Sequence, residues 1–329
     1  MSDQIPFLDL AERAIVAYDI NDCDLIFIRH SDSVTYKVET QDTGTYLLRL
    51  HVPIVVAMGA HGADPKAVQS ELLWLEALNQ DTSLCLQQPV RNRDGDLVTQ
   101  VALDQTLKPV NCSLLRWVDG EPYHRDLESE QTAWQIGEIL ARLHLHASGW
   151  TIPDGFHRPR RDSAYFERVL ETIHPAHQDG RISAQDYGAF ERSIVLLSEI
   201  LDSLEATRQS SGLMHADAHK GNMLYHDGQI RLIDFSFCAF GNYMFDLGVC
   251  LSDMKQHLHD VFLESYQRLR PLPDGYQRLV EGFFVGSVIG TLSFWVNNPQ
   301  TQQILVAKAP QIARDYAAKF NRSEHFWFL

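Results

Sequence analysis

The segment HADAHKGNMLYHDGQIRLIDF, residues 215–235, decides how this chain is read. Its first eight residues hold two histidines, an aspartate, a lysine and an asparagine around one glycine. Such an octet has three readings: a polar turn with satisfied histidines, a zinc site on His215, Asp217 and His219, or a loop for phosphate transfer. Zinc needs a third or fourth ligand in reach and an open position for water, and His226 is the only close candidate. The residues that follow separate the readings. Met223–Tyr225 and Gln229–Ile233 flank Asp227-Gly228, a strong hairpin signal. The second strand delivers Asp234 at its end. One loop therefore presents Asp217 and Asn222, and a hairpin returns another carboxylate to them.

Phosphoryl transfer from a nucleotide asks for such a set. The protein does little covalent work there; it positions groups and neutralises charge. One carboxylate accepts the hydrogen bond of the attacking hydroxyl, which suits Asp217. A second carboxylate and a neutral amide oxygen hold magnesium, because hard cations take oxygen ligands, and Asp234 and Asn222 supply them. Lys220 is placed either to touch the transferring phosphate or to be solvated, and His215 to brace the loop.

Working outward, residues 7–17 carry a helical pattern. DLIFIRH, VTYKVET and TYLLRLH then read as three strands, with TQDTGT between the last two as a hairpin turn. Residues 66–79 are helical, with Val68, Leu72, Leu75 and Leu78 on one face. PVRNRDGDLVTQVAL reads as two strands joined around Asp94-Gly95, and CSLLRWVDGEPY as a strand ending in a turn. From about residue 128 the pattern becomes long helices, including 191–206, 276–296 and 301–320. The expected fold is α+β, an antiparallel sheet with one helix followed by a helical half. The pattern changes near RWVDGEPY, which sets expected domains at 1–117 and 118–329.

His215-x-Asp217-x-x-x-x-Asn222, followed by Asp234-Phe235-Ser236, resembles the catalytic and metal loops of the protein-kinase-like fold. The longer run HADAHKGNMLYHDGQIRLIDFSFCAFGNYMFDLG resembles the aminoglycoside phosphotransferase and choline kinase branch, which includes homoserine kinase-like enzymes. That resemblance implies a β-rich nucleotide lobe, a helical lobe, and an ATP- and Mg2+-dependent phosphotransferase acting on a small hydroxyl acceptor. It implies Asp217 and His215 in the catalytic loop, and Asn222 and Asp234 as metal ligands. For the nucleotide it implies Arg49 oriented by Glu71, Ser31 and Ser33 over the phosphates, the stretch Leu115 to Trp117 at the adenine, and Lys220. It also makes Asp246 a buttress of the loop. Two departures stand out: arginine where the family has lysine, with different reach and geometry, and no glycine in RHSDSVTY. They support a rival reading, a catalytically weak nucleotide-binding regulatory module; a protein-directed kinase is a further alternative.

The net charge of −15, from 28 basic and 43 acidic residues, opposes nucleic acid and anionic membranes; it either serves solubility alone or attracts a cationic small acceptor. No apolar run reaches the roughly 18 residues of a membrane helix. FFVGSVIGTLSFWV, residues 283–296, reads as a buried core helix. The N-terminus has no secretory pattern. Five scattered cysteines without a C-x-x-C fit a reduced compartment, so the expected location is cytoplasmic. Oligomeric state is not legible.

Overall fold

The computed structural model describes residues 5–53, 64–102, 108–296 and 301–328. The chain folds as two compact units. The first comprises residues 1–121 and takes back two later segments, 151–158 and 231–237. The second holds 122–150, 159–230 and 238–329.

In the first unit the three expected strands are present: β1 (Cys23–His30), β2 (Val34–Thr40) and β3 (Thr45–Leu50). They pair antiparallel in sequence order. β3 continues onto Val110–Arg116, with Arg49 opposite Ser113. Pro89–Val90 and Thr99–Val101 do not pair with each other, contrary to expectation. Each lies on a different part of the 110–116 strand, Val90 against Leu114 and Thr99 against Cys112. The Asp94-Gly95 turn is instead held by its own side chain: Asn92 Oδ1 accepts from the N–H of Asp94 and of Asp96. An Asx turn of this kind satisfies the backbone without a hairpin ladder.

Strand alternation sorts the sheet into two faces. Val34, Tyr36, Val38, Tyr46, Leu48, Leu50, Cys112 and Leu114 are buried with Leu10, Ala11 and Ala14 of the first helix, Ile5–Val16. The residues of opposite parity, Arg49, Ser113 and Leu115, face the other way, and Arg49 meets Glu71 on the helix Pro65–Asp81. That helix starts where the sequence demands: Asp64 caps it by accepting from Lys66 N, and Pro65 fills the first turn, where no N–H is missed.

The second unit is mainly helical. Its helix Glu130–Gly149 opens on a capping box between Ser129 and Thr132. Glycines let its helices approach closely. A Cβ on Gly137 would lie 2.3 Å from the carbonyl oxygen of Phe262, and one on Gly248 2.8 Å from that of Val280. The helix Tyr276–Val296 is buried as expected, with Val280, Phe283, Phe284, Ile289 and Leu292 in the core. A short three-stranded sheet, Arg160–Arg161 beside Ala239–Asn242 beside Ser211–Met214, leads the chain into His215. No helix among the described residues is long and apolar enough to cross a membrane.

Candidate active site

In the second unit the loop after Met214 is fixed from behind. Asp246 is fully buried, and its carboxylate accepts from His215 N at 2.8 Å, Ala216 N at 2.7 Å and His144 Nε2 at 3.0 Å. His144 in turn accepts at Nδ1 from the Tyr266 hydroxyl at 2.9 Å, which sets its tautomer. Burial lowers the His144 pKa below the ordinary value and outweighs the pull of Asp246, so the ring is neutral at neutral pH. Asp246 thus has the buttressing position that the resemblance implied. Ala216 sits at φ +62, a left-handed conformation disfavoured for a residue with a Cβ. The carboxylate of Asp246 holds it there.

His215 is fully buried, and its Nδ1 accepts from Asp217 N at 3.2 Å. The Asn222 amide nitrogen donates to the Asp217 carbonyl at 3.0 Å and to its carboxylate at 2.7 Å. With the nitrogen so engaged, the amide oxygen is the atom Asn222 offers to a cation. Asp217 itself keeps 31% of its side chain exposed. The loop therefore presents one carboxylate outward from an otherwise buried frame. His219 Nδ1 accepts from Gly221 N at 3.0 Å, and its Nε2 lies 3.6 Å from the Asp217 carboxylate. Lys220 is ion-paired with Glu128, whose side chain is 1% exposed. Its ammonium is thus neutralised by a buried carboxylate rather than solvated.

The zinc reading does not fit. Both Nδ1 atoms of His215 and His219 are occupied by backbone N–H groups. Among the described residues no three His, Cys, Asp or Glu side chains gather as a metal group. The turn Asp227-Gly228 does form the hairpin between Met223–His226 and Gln229–Leu232, both residues taking positive φ as such turns need.

In the first unit Arg49 and Glu71 form an ion pair at 2.8 Å with side chains 4% and 2% exposed. Its alignment falls short of a hydrogen bond. Arg49 Nε donates to Ser113 Oγ at 3.3 Å, and His51 Nε2 lies 3.0 Å from the same oxygen. Burial alone would lower the Arg49 pKa, but Glu71 and then Asp234 outweigh it and raise the pKa. His51 is pushed well below its ordinary value by burial and then by the charge of Arg49.

Asp234 takes φ +66, and its N–H donates to Gln87 Oε1 at 2.8 Å. Its carboxylate accepts from Ser236 Oγ at 2.7 Å and from Arg29 Nη2 at 3.1 Å. Phe235 packs edge-on to Trp74 of the Glu71 helix. Arg158 donates to the carbonyls of Ala67 and Ser236, tying that helix to the loop. The Asp32 pKa is raised by burial and then by Asp234, so two carboxylates share this region. Ser31 Oγ donates to Asp32 at 2.8 Å, and Ser33 is buried, its carbonyl accepting from Ser31 N at 3.0 Å. Leu115 is fully buried, and the N–H groups of Arg116 and Trp117 donate to Gln88 O and Thr45 O.

Sequence reasoning missed Asp32, Arg29, Gln87, Glu128 and His144. Only His144 carried a signal: it continues the apolar stripe of Leu140 and Leu143, where a polar residue needs a buried partner.

The fold is that of the protein-kinase-like phosphotransferases. A model of the phosphotransferase enzyme family matches residues 24–279, and the chain belongs to that family. It is an O-phosphotransferase of the small-molecule kinase type. The homoserine kinase of Neisseria meningitidis serogroup B is 26% identical over 268 residues, covering 75% of this chain and 79% of that one. A methylthioribose kinase of Yersinia pseudotuberculosis is 22% identical over 241 residues, covering 68% and 56%. Among solved structures, a microcompartment-associated aminopropanol kinase superposes with TM-score 0.78 at 23% identity, covering 96% of this chain and 98% of that one. Amicoumacin kinase in complex with AMP-PNP, Ca2+ and Ami gives 0.77 at 17% identity, covering 99% and 97%. At these identities the two structures speak for the fold.

Proposed function

We propose that the chain transfers the γ-phosphoryl group of ATP to a hydroxyl of a small molecule. Asp217 accepts the hydrogen bond of that hydroxyl. The acceptor oxygen forms a bond to γ-phosphorus as the bond to the bridging oxygen of ADP breaks, and the hydroxyl proton passes late to Asp217, because the transition state is loose. His215 and Asp246 keep the loop rigid. Asn222, through its amide oxygen, and Asp234 are the ligands for magnesium; both offer hard oxygen donors, which fits that ion. When bound, the metal neutralises phosphate charge. Arg49 and Glu71 form the ion pair behind the nonterminal phosphates. Ser31 and Ser33 line the phosphate-covering loop, and Leu115 to Trp117 form the adenine-side strand. The ion pair of Lys220 with Glu128 supports a role in holding the loop.

The observation that carries this reading is the single outward carboxylate of Asp217, with Asn222 at 2.7 Å and a buried frame behind it. Relatives that bear the names of homoserine and methylthioribose kinases support a small acceptor. Asp217→Ala is expected to lower kcat about 100- to 10,000-fold, with the nucleotide Kd from calorimetry changed less than about threefold. Parallel loss of turnover and nucleotide affinity contradicts the role.

A further inference from the structure

Among the described residues four arginines are buried: Arg49, Arg158, Arg161 and Arg270. Three have an ion-pair or hydrogen-bond partner. Arg49 has Glu71 and Ser113, Arg158 has the carbonyls of Ala67 and Ser236, and Arg270 has those of His144 and Gln209. Arg161 is the exception. It is 5% exposed, and its Nε is buried with no hydrogen-bond partner. Among the described residues no carboxylate stands opposite it. One face of its guanidinium lies over the ring of Tyr165, 4.1 Å from the centroid. The neighbouring carboxylate is already engaged: Asp162 accepts from Tyr165 N as a helix cap and lies 3.6 Å from Arg160.

A guanidinium keeps its charge at any physiological pH. Burying one with neither an anion nor a hydrogen-bond acceptor costs more than one stacked ring returns. Such a group persists where a ligand supplies the missing half. Its position suits a substrate. Arg161 pairs with Gly241, and Gly241 pairs with Gly212 on the strand that runs directly into His215 and Asp217. The Arg161 Cβ and the Met214 thioether both lie within 3.3 Å of where a Gly241 Cβ would stand, so they share one face of this sheet. Two strand spacings, about 10 Å, separate the backbone of the Arg161 strand from the strand that leads into His215 and Asp217.

We propose that Arg161 receives a carboxylate of the phosphate acceptor, which makes hydroxy acids and hydroxy amino acids its substrate class. The hydroxyl end of this assignment rests on the phosphotransferase reading above; the anion end does not. With one face on Tyr165, the guanidinium presents its N–H edge, the geometry that takes a planar carboxylate bidentately. One buried cation balances one negative charge, whereas a phosphate dianion would keep an excess. The acidic balance of the whole chain, which would attract a cationic acceptor, is thus overruled locally.

The test compares L-homoserine and L-threonine with their primary amides, using the full chain, Arg161→Gln and Arg161→Lys. Binding is read by calorimetry with AMP-PNP and magnesium present, and turnover by ADP release; melting curves report folding. The natural protein is expected to bind at least one acid about 10- to 100-fold more tightly than its amide, the range of a charge-assisted hydrogen bond. Arg161→Gln should reduce that preference to within about threefold, and Arg161→Lys should retain part of it. Equal binding of acid and amide by the natural protein overturns the proposal even where a variant fails to fold, as does a preference that survives Arg161→Gln. Arg161-dependent acid binding without any ADP release keeps the carboxylate site and rejects phosphotransfer to these acceptors. ADP release that ignores the carboxylate does the reverse.

Discussion

Replacing Asp246 by Asn tests how the catalytic loop is held. The carboxylate accepts three hydrogen bonds, from His144 Nε2 and His215 N on one oxygen and from Ala216 N on the other. An amide has one oxygen. In its best orientation that oxygen keeps His144 and His215, and the new NH2 then faces the Ala216 N–H across 2.7 Å, donor against donor. The loss of one charge-assisted bond and the orphaned buried N–H together cost about 3 kcal/mol. Across 329 residues that lowers Tm by about 4 °C. The functional loss exceeds what stability explains. Ala216 then has no partner to hold its left-handed φ, and Asp217 follows it in sequence. A displacement of about 1 Å at a positioning group costs on the order of 100-fold in rate. Scanning fluorimetry and steady-state turnover on the same preparation, assayed well below the lowered Tm, read both quantities. A Tm change under about 2 °C with unaltered kcat would refute the reasoning. Asp217→Ala serves as the contrast, since a partly exposed carboxylate can be removed with little change in Tm.

Glu71→Gln leaves Arg49 buried and uncompensated and is expected to cost about 3 kcal/mol or more, whereas Arg49→Met combined with Glu71→Leu should recover most of that stability. Urea unfolding of both decides it, and a single-mutant cost below about 1 kcal/mol, the scale of an exposed pair, rejects the assignment. His51, His144 and His259 all have lowered pKa values in the folded chain. Below about pH 6.5, where unfolded histidines take up protons, the unfolded state binds more protons than the folded one. Stability is therefore complete above that pH and falls on acidification, by up to about 1.4 kcal/mol per pH unit for each histidine. A Tm profile across this range should show the fall, His51→Gln should flatten it, and a profile that stays level contradicts the burial account. Gly137→Ala places a methyl group 2.3 Å from a backbone carbonyl. It should destabilise by about 1 to 3 kcal/mol, measured by urea unfolding, despite the better helix propensity of alanine.

Local features are legible in the order of residues alone. Alternation in VTYKVET and TYLLRLH, the Asp-Gly hairpin signal and the helical spacing of Leu72, Leu75 and Leu78 depend on residues only a few positions apart. The grouping of Asp217, Asn222 and Asp234 is legible for a similar reason, since a short loop and a tight hairpin link them in sequence. The helices Ser163–Gln178 and His259–Gln267 were not anticipated, and Pro175 lies inside the first of them.

Other features depend on pairings across long stretches of chain. The return of residues 151–158 and 231–237 to the first unit, the contact of Arg29 with Asp234 and the ion pair of Lys220 with Glu128 have no local signature. The same holds for Arg161, which reads in sequence as one more basic residue in HRPRRD. Composition and spacing determined that this chain would form a sheet followed by helices and that Asp217, Asn222 and Asp234 would lie on one short loop-and-hairpin stretch. Tertiary structure alone decided which charges are paired and which buried guanidinium has no hydrogen-bond acceptor, because a charge's partners and its solvation are set by neighbours in space.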